Sequence, residues 1–297
     1  MAQKNVIFDH CEVWAQEKIP GESNEYEETK LNIASLFEKI IKYEQIQKET
    51  VRSYRGGKAR IQSITKNKNG LYEIQFLRLR IDLPPGIAND DGEYEIIKLE
   101  DNEYIGVFTA AMYDAEKSIF VFHRNNQAFN ANGLSGYLTS LLKDPNTTIV
   151  LKPIISGRDL EKIMKAKHYR AFEISLDSNS FCDIDNHNSL IQIVSLANKF
   201  KSNTIKLSFS VGKAGKNESL DNATVRDVIS ESVPYLDDFN RYVIRYRDCE
   251  DTQVETMDLL EERKHDGHTF NYDRSNPITY DKVINKLVEK YLAGKKT

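Results

Sequence analysis

The sequence predicts an α+β fold: an antiparallel β-rich N-terminal half followed by an alternating α/β C-terminal half. Three observations carry that reading. Polar–apolar alternation with a period of two dominates residues 50–122 and is broken by turn residues. From about residue 130, apolar runs of strand length alternate with amphipathic runs of helix length. The chain closes on an apolar stripe, Tyr280, Val283, Ile284, Leu287, Val288 and Tyr291, spaced as one face of a helix.

Taken in order, residues 5–14 alternate as a first strand, and a Glu-rich loop follows over 17–28. Ile33, Leu36, Phe37, Ile40 and Ile41 form one stripe, which predicts a helix over 31–47. Strands are expected at 50–65 and 71–83, joined by the turn at 66–70, whose Asn69-Gly70 supplies positive φ. Pro84-Pro85-Gly86 ends that unit; an acidic loop follows, then a hairpin of 94–100 with 104–112 and a strand at 118–122. The second half reads as helix 134–143 stopped by Asp144-Pro145, strand 148–155, helix 157–167, strand 169–176 and helix 189–200. Strand 204–211, helix 220–231 and a late hairpin of 242–247 with 253–259 follow. Thr279 caps the last helix and Gly294 stops it. This grammar divides the chain into a β-rich unit, 1–128, and an α/β unit, 129–297.

Among 297 residues, 40% are hydrophobic and 29% charged, with only 7 prolines and 14 glycines, which argues against wholesale disorder. Cys11, Cys182 and Cys249 are odd in number and far apart, as free thiols in a reducing compartment are. The first residues lack a signal-peptide pattern and no apolar run nears 18 residues. A cytoplasmic protein without membrane insertion is expected.

Charge is segregated along the chain. Residues 39–80 carry eleven Lys/Arg against three Asp/Glu, whereas 81–103 carry eight Asp/Glu against one Lys, in a chain of net charge −4. A basic segment inside an acidic protein is the electrostatic footprint of a polyanion partner. Its candidate contacts are Arg52, Arg55, Lys58, Arg60, Lys66 and Lys68, with Gly56-Gly57 between them to let main-chain N–H groups approach phosphate. The plainer account is a solvated sheet face balanced by the acidic loop folding over it. Arg158, Lys162 and Lys165 share one face of the helix 157–167. Lys213 and Lys216 lie in a strand–loop–helix stretch that departs from the Walker pattern at Ser210 and Asn217, leaving a surface loop able to touch phosphate.

An enzyme reading rests on Glu262-Arg263-Lys264, the Glu-x-Lys form of metal-dependent nucleases, with Asp248, Asp251 or Asp258 as upstream carboxylates. Three-residue matches arise often by chance in a chain with 45 acidic residues. His265 and His268, three apart, lack a zinc ligand set at matching spacing even with Cys249 before them, and His187 lies in a loop before a helix. No metal, cofactor or catalytic residue is assigned. A third reading makes the basic and acidic segments complementary protein–protein surfaces.

Several stretches resemble the RexA-like phage-exclusion proteins: Asn102-Glu103-Tyr104-Ile105-Gly106, the run IVLKPIISGRDLEKIMKAKHYRAFEISL at 149–176, ERKHDGHTF at 262–270, and the C-terminal helix. Order and spacing match over residues 102–292; the first hundred residues match poorly. The resemblance implies a homodimeric DNA-binding protein of bacteriophage exclusion, which in the lambda system acts with a membrane-protein effector. Joined to the charge pattern, the expected function is sequence-independent binding of double-stranded DNA. No helix-turn-helix or zinc finger stands in the sequence to read bases.

Overall fold

One strand of 17 residues, β1 (Ala2–Lys18), organises the larger of two sheets. The computed structural model describes residues 2–18, 26–82, 85–125, 127–142, 144–155, 157–177, 199–215, 217–248 and 253–295. Along one edge of β1 lie β15 (His265–Tyr272), opposite Ala2–Asp9, and β10 (Thr147–Pro153), opposite Cys11–Glu17. Along the other lie β9 (Ile119–His123) and β2 (Tyr26–Lys30). From β9 the sheet continues through β8 (Ile105–Asp114), β5 (Tyr72–Arg80) and β4 (Gly57–Lys66) to the short edge strand β3 (Arg52–Tyr54), every pair antiparallel.

Period-two alternation gives this sheet two apolar faces, and each is covered. On one, Phe76, Phe120, Ile61 and Ile74 pack against α1 (Ala34–Ile41) and α3 (Ala131–Leu142). Helix α3 touches both β10 and β3, so it bridges the two ends of the curled sheet. On the other, Val6, Phe8, Ala110 and Met112 receive Val283, Ile284 and Leu287 of α6 (Tyr280–Gly294). The second sheet, β12 (Thr204–Ser210), β11 (His168–Asp177), β13 (Phe239–Arg247) and β14 (Glu255–Asp258), is also antiparallel. A separate core covers one of its faces, formed with α4 (Gly157–Lys165), α5 (Asn222–Ser232) and a 3-10 turn at Val233–Asp238.

The α+β class therefore holds, and several details differ. The expected boundary between 128 and 129 does not separate the sheets. Strands β10 and β15 return to pair with β1, and α6 seals the first sheet from the far end of the chain. The helix over 31–47 stops at Ile41 and resumes only as the single turn α2 (Ile46–Glu49). The acidic loop after Pro85 contains a small hairpin, β6 (Gly86–Ala88) with β7 (Tyr94–Ile96), so 94–100 does not pair with 104–112. The helix expected at 189–200 lies almost wholly outside the described residues.

The strand expected over 50–65 is a tight hairpin. Arg55 and Gly56 have φ of 43° and 73°, the two left-handed positions that a two-residue turn between twisted strands needs. A non-glycine residue there costs about 1–2 kcal/mol, so Arg55 is held against a local preference.

Two buried polar clusters tie α6 and β1 to the sheet. The Asp114 carboxylate accepts from Tyr291 Oη at 2.6 Å and pairs with Lys295 Nζ at 2.6 Å. Burial pushes that carboxyl up, yet the bonds from Lys295 and Tyr291 outweigh it and hold the group below its ordinary range. Asp9, buried, pairs with Arg124 at 2.5 Å.

His123 on β9 is 5% exposed, and burial lowers its pKa from 6.5 to about 4, with Lys4 pushing the same way and Asp9 opposing. The folded imidazole therefore refuses a proton that the unfolded one accepts. Its stability contribution is whole above pH 6.5 and is lost as pH falls toward about 4, a change on the order of 3 kcal/mol at about 1.4 kcal/mol per unit. His123→Phe, set beside Phe108 at 5.7 Å, is expected to flatten the fall in urea midpoint between pH 7 and pH 4.5. An unchanged fall would place the acid sensitivity elsewhere.

Candidate nucleic-acid interface

The β3–β4–β5 edge brings together side chains that are far apart in sequence. Arg52 stands opposite Ala59, and Ala59 opposite Arg78, so the three form one row across the sheet on the face that carries the first core. At about 4.8 Å per strand the two arginine backbones lie roughly 10 Å apart. Tyr54 shares that face. Its ring is flanked by the guanidinium of Arg55 at 5.5 Å and that of Arg78 at 5.8 Å, and it packs on Phe129 at 4.7 Å. The Tyr54 hydroxyl fits against α3 only because residue 133 is glycine: a Cβ there would stand 2.0 Å from it. Asn130 caps α3 by accepting from Gly133 N–H at 2.9 Å, and its oxygen also accepts from Arg55 at 3.4 Å.

Arg52 donates to the carbonyls of Glu49, Val51 and Ser140, and Arg78 to that of Gln127. Carbonyl acceptors fix a guanidinium without cancelling its charge. Among the described residues, Arg52, Arg55 and Arg78 form no ion pair with a carboxylate. Burial lowers the pKa of Arg78, and the charges of Arg80 and Arg55 push it further the same way.

The other expected contacts do not join this group. Alternation along β4 turns Lys58 and Arg60 to the opposite face, where Arg60 bonds Gln62 at 3.0 Å. Lys58 meets the acidic segment: it donates to Tyr104 Oη at 3.0 Å and lines a cavity of about 470 Å³ with Glu100, Asp101 and Glu103. A β-bulge between Ile61 and Ser63 reverses the alternation, so Lys66 shares the face of Ile64 and pairs with Glu38 at 2.8 Å. The hydrogen bond that Lys66 donates to Glu38 raises the Lys66 pKa. Lys68 is exposed at the tip of the next turn.

On α4, Lys162 pairs with Glu255 at 2.5 Å and Lys165 with Glu161, so each of these two lysines has its own carboxylate. The side chain of Arg158 lies outside the described residues, as does Lys216. Lys213 is exposed. Its loop is not an amide cradle: the carbonyls of Ala214, Gly215 and Glu218 converge on the guanidinium of Arg170 at 2.6–3.0 Å.

Glu262 and Lys264 sit in the connection from β14 to β15. The Lys264 backbone bridges Ile154 and His10, and Asp258 spends an oxygen on the N–H of Leu260. Asp251 and Cys249 lie outside the described residues. Among the described residues no three His, Cys, Asp or Glu gather as a metal site.

Sequence reasoning missed Arg78 because it stands 23 residues beyond Arg55 and joins it only through strand register. The fold and this edge define an α+β protein with an arginine- and tyrosine-lined sheet margin. The chain belongs to the family of unknown function DUF6731, matched over residues 1–297. No curated protein matches it. Among the described residues no helix is long and apolar enough to cross a membrane.

Proposed function

We propose that this protein binds double-stranded DNA through its phosphates, without reading sequence, at the β3–β4–β5 edge. The observation that carries the reading is the pair Arg55 and Arg78 against the Tyr54 ring, with Arg52 on the same sheet face and no carboxylate pairing any of the three among the described residues. Guanidinium forks bind phosphate oxygens and carry no base information. Arg55 supports it further, because a residue held in a left-handed turn against its preference is a mark of functional positions. The setting we propose, a cytoplasmic homodimer in bacteriophage exclusion, follows from the resemblance over residues 102–292.

Fluorescence anisotropy with several 30-base-pair duplexes of unrelated sequence tests this directly. Equal Kd values on the order of 10⁻⁶–10⁻⁴ M near physiological salt are expected for phosphate-dominated binding. A preference of tenfold or more for one sequence contradicts the sequence-independent mode. Lys58→Gln is expected to leave Kd within about twofold, since that ammonium lies on the opposite face, donates to Tyr104 and faces a cavity also lined by Glu100, Asp101 and Glu103. A large loss there would move the interface to the opposite face.

A further inference from the structure

The second sheet leaves one face open. Its core face carries Phe172, Ile174, Tyr242 and Ile244. Register places three rows on the other face: Lys206–Ser175–Arg241, then Ser208–Glu173–Val243–Asp258, then Ser210–Ala171–Arg245–Thr256. Lys206, Ser208, Ser210, Arg241 and Arg245 are all exposed. The loop that leaves β12 after Ser210 carries exposed Lys213, and Arg170 anchors that loop by its carbonyls.

A polar outer face is ordinary for an antiparallel sheet, but its charge arrangement here is not one to one. Arg241 reaches one oxygen of Glu173 at 3.0 Å and Arg245 the other at 3.1 Å. Among the described residues Glu173 is the only carboxylate shared by two arginines. The two arginine side chains are 51% and 47% exposed while that of Glu173 is 22% exposed, so the anion sits low between two more exposed forks. One carboxylate cannot cancel two guanidiniums. Lys206 and Lys213 pair with no carboxylate among the described residues. The remaining acid, Asp258, lies in the central row with one oxygen spent on Leu260 N–H. Flanking hydroxyls of Ser208, Ser210 and Thr256 add neutral donors suited to phosphate oxygens.

We infer that this open face is a second phosphate-contacting surface for duplex DNA, built from Lys206, Lys213, Arg241 and Arg245. It rests on the DNA-binding reading given above and adds a contact far in sequence from the first edge. Arg–carboxylate–Arg geometry holds both guanidiniums in place before a phosphate arrives, which removes part of the ordering cost of binding.

The test is an anisotropy titration of a 30-base-pair duplex at 50 mM salt and above, on the wild type and four double variants. R241Q/R245Q is expected to raise Kd at least tenfold and to lower the slope of log Kd against log salt by about 1.8, at about 0.9 per lost contact. K206Q/K213Q leaves Glu173 paired and is expected to weaken binding several-fold with an unchanged melting temperature, which keeps the test sound if the first variant folds poorly. K39Q/K42Q removes the same charge from the C-terminal end of α1 and its cap and is expected to change Kd less than twofold; a loss as large as in the other two would reduce the effect to net charge and overturn the proposal. If both sheet variants match wild type while R55Q/R78Q binds weakly, the second surface is overturned and the first stands. If the sheet variants bind weakly while R55Q/R78Q does not, the first edge is overturned instead. Absence of wild-type binding at 50 mM salt removes both.

Discussion

Phe76→Ala is expected to cost about 3–5 kcal/mol of folding stability, the range for truncating a buried aromatic. Phe76 is fully buried on β5, with ring centroids of Phe120, Phe129 and Tyr137 at 6.3, 5.9 and 5.8 Å. Phe120 stands on β9, with β8 between it and β5, Phe129 just before α3 and Tyr137 within it, so the cavity opens where helix and sheet meet. The damage should reach the candidate interface, because Phe129 also supports Tyr54. Urea denaturation of wild type and variant measures the loss. A change below about 1 kcal/mol would mean that this face is not the packed core described.

Arg55→Gln with Arg78→Gln is expected to weaken duplex binding on the order of 100-fold at low salt, since a hydrogen bond to a charged group contributes about 1.5–3 kcal/mol. Stability should change little. Arg55 is exposed on a turn, and Arg78 donates to the loop carbonyl of Gln127. Arg52 is a poorer probe because its guanidinium secures three carbonyls at the start of β3, and its removal would loosen the strand that positions the others. Unchanged affinity in the folded double variant would remove the edge from the interface.

Local periodicity carried far where an element buries one clean stripe. Val283, Ile284, Leu287 and Tyr291 of α6 are buried as their spacing requires, and so are Ile33, Leu36, Phe37 and Ile40 around α1. It failed where an element has no apolar signature. Strand β15 alternates between exposed and half-buried residues, and β2 reads Tyr-Glu-Glu-Thr-Lys; both exist because β1 offers them a paired edge. The boundary at 128/129 misses the return of β10 and β15 to β1 for the same reason. Pairing of Ala2 with Tyr272 is a property of the folded sheet, and composition near residue 128 does not register it.

The charge pattern was legible as a quantity but not as a direction. Eleven cations between residues 39 and 80 suggested one patch, yet a strand sends successive side chains to opposite faces and the bulge after Ile61 switches the parity again. Arg52 and Arg55 lie at the candidate interface, whereas Lys58, Arg60 and Lys66 are turned away or paired. Arg241 and Arg245 had a readable signal in their spacing of four, which puts both on one face of a strand. The carboxylate that joins them comes from β11, 68 residues away from Arg241, and only the fold supplies it.

The most direct test of the central claim is the affinity of the wild-type protein for a duplex of arbitrary sequence, followed from 50 to 200 mM salt. A linear rise of log Kd with log salt is predicted, with a slope near 0.9 for each phosphate engaged and a total of about 3 or more. Binding that ignores salt, or none at 50 mM, would contradict the assignment of these arginines to DNA phosphates.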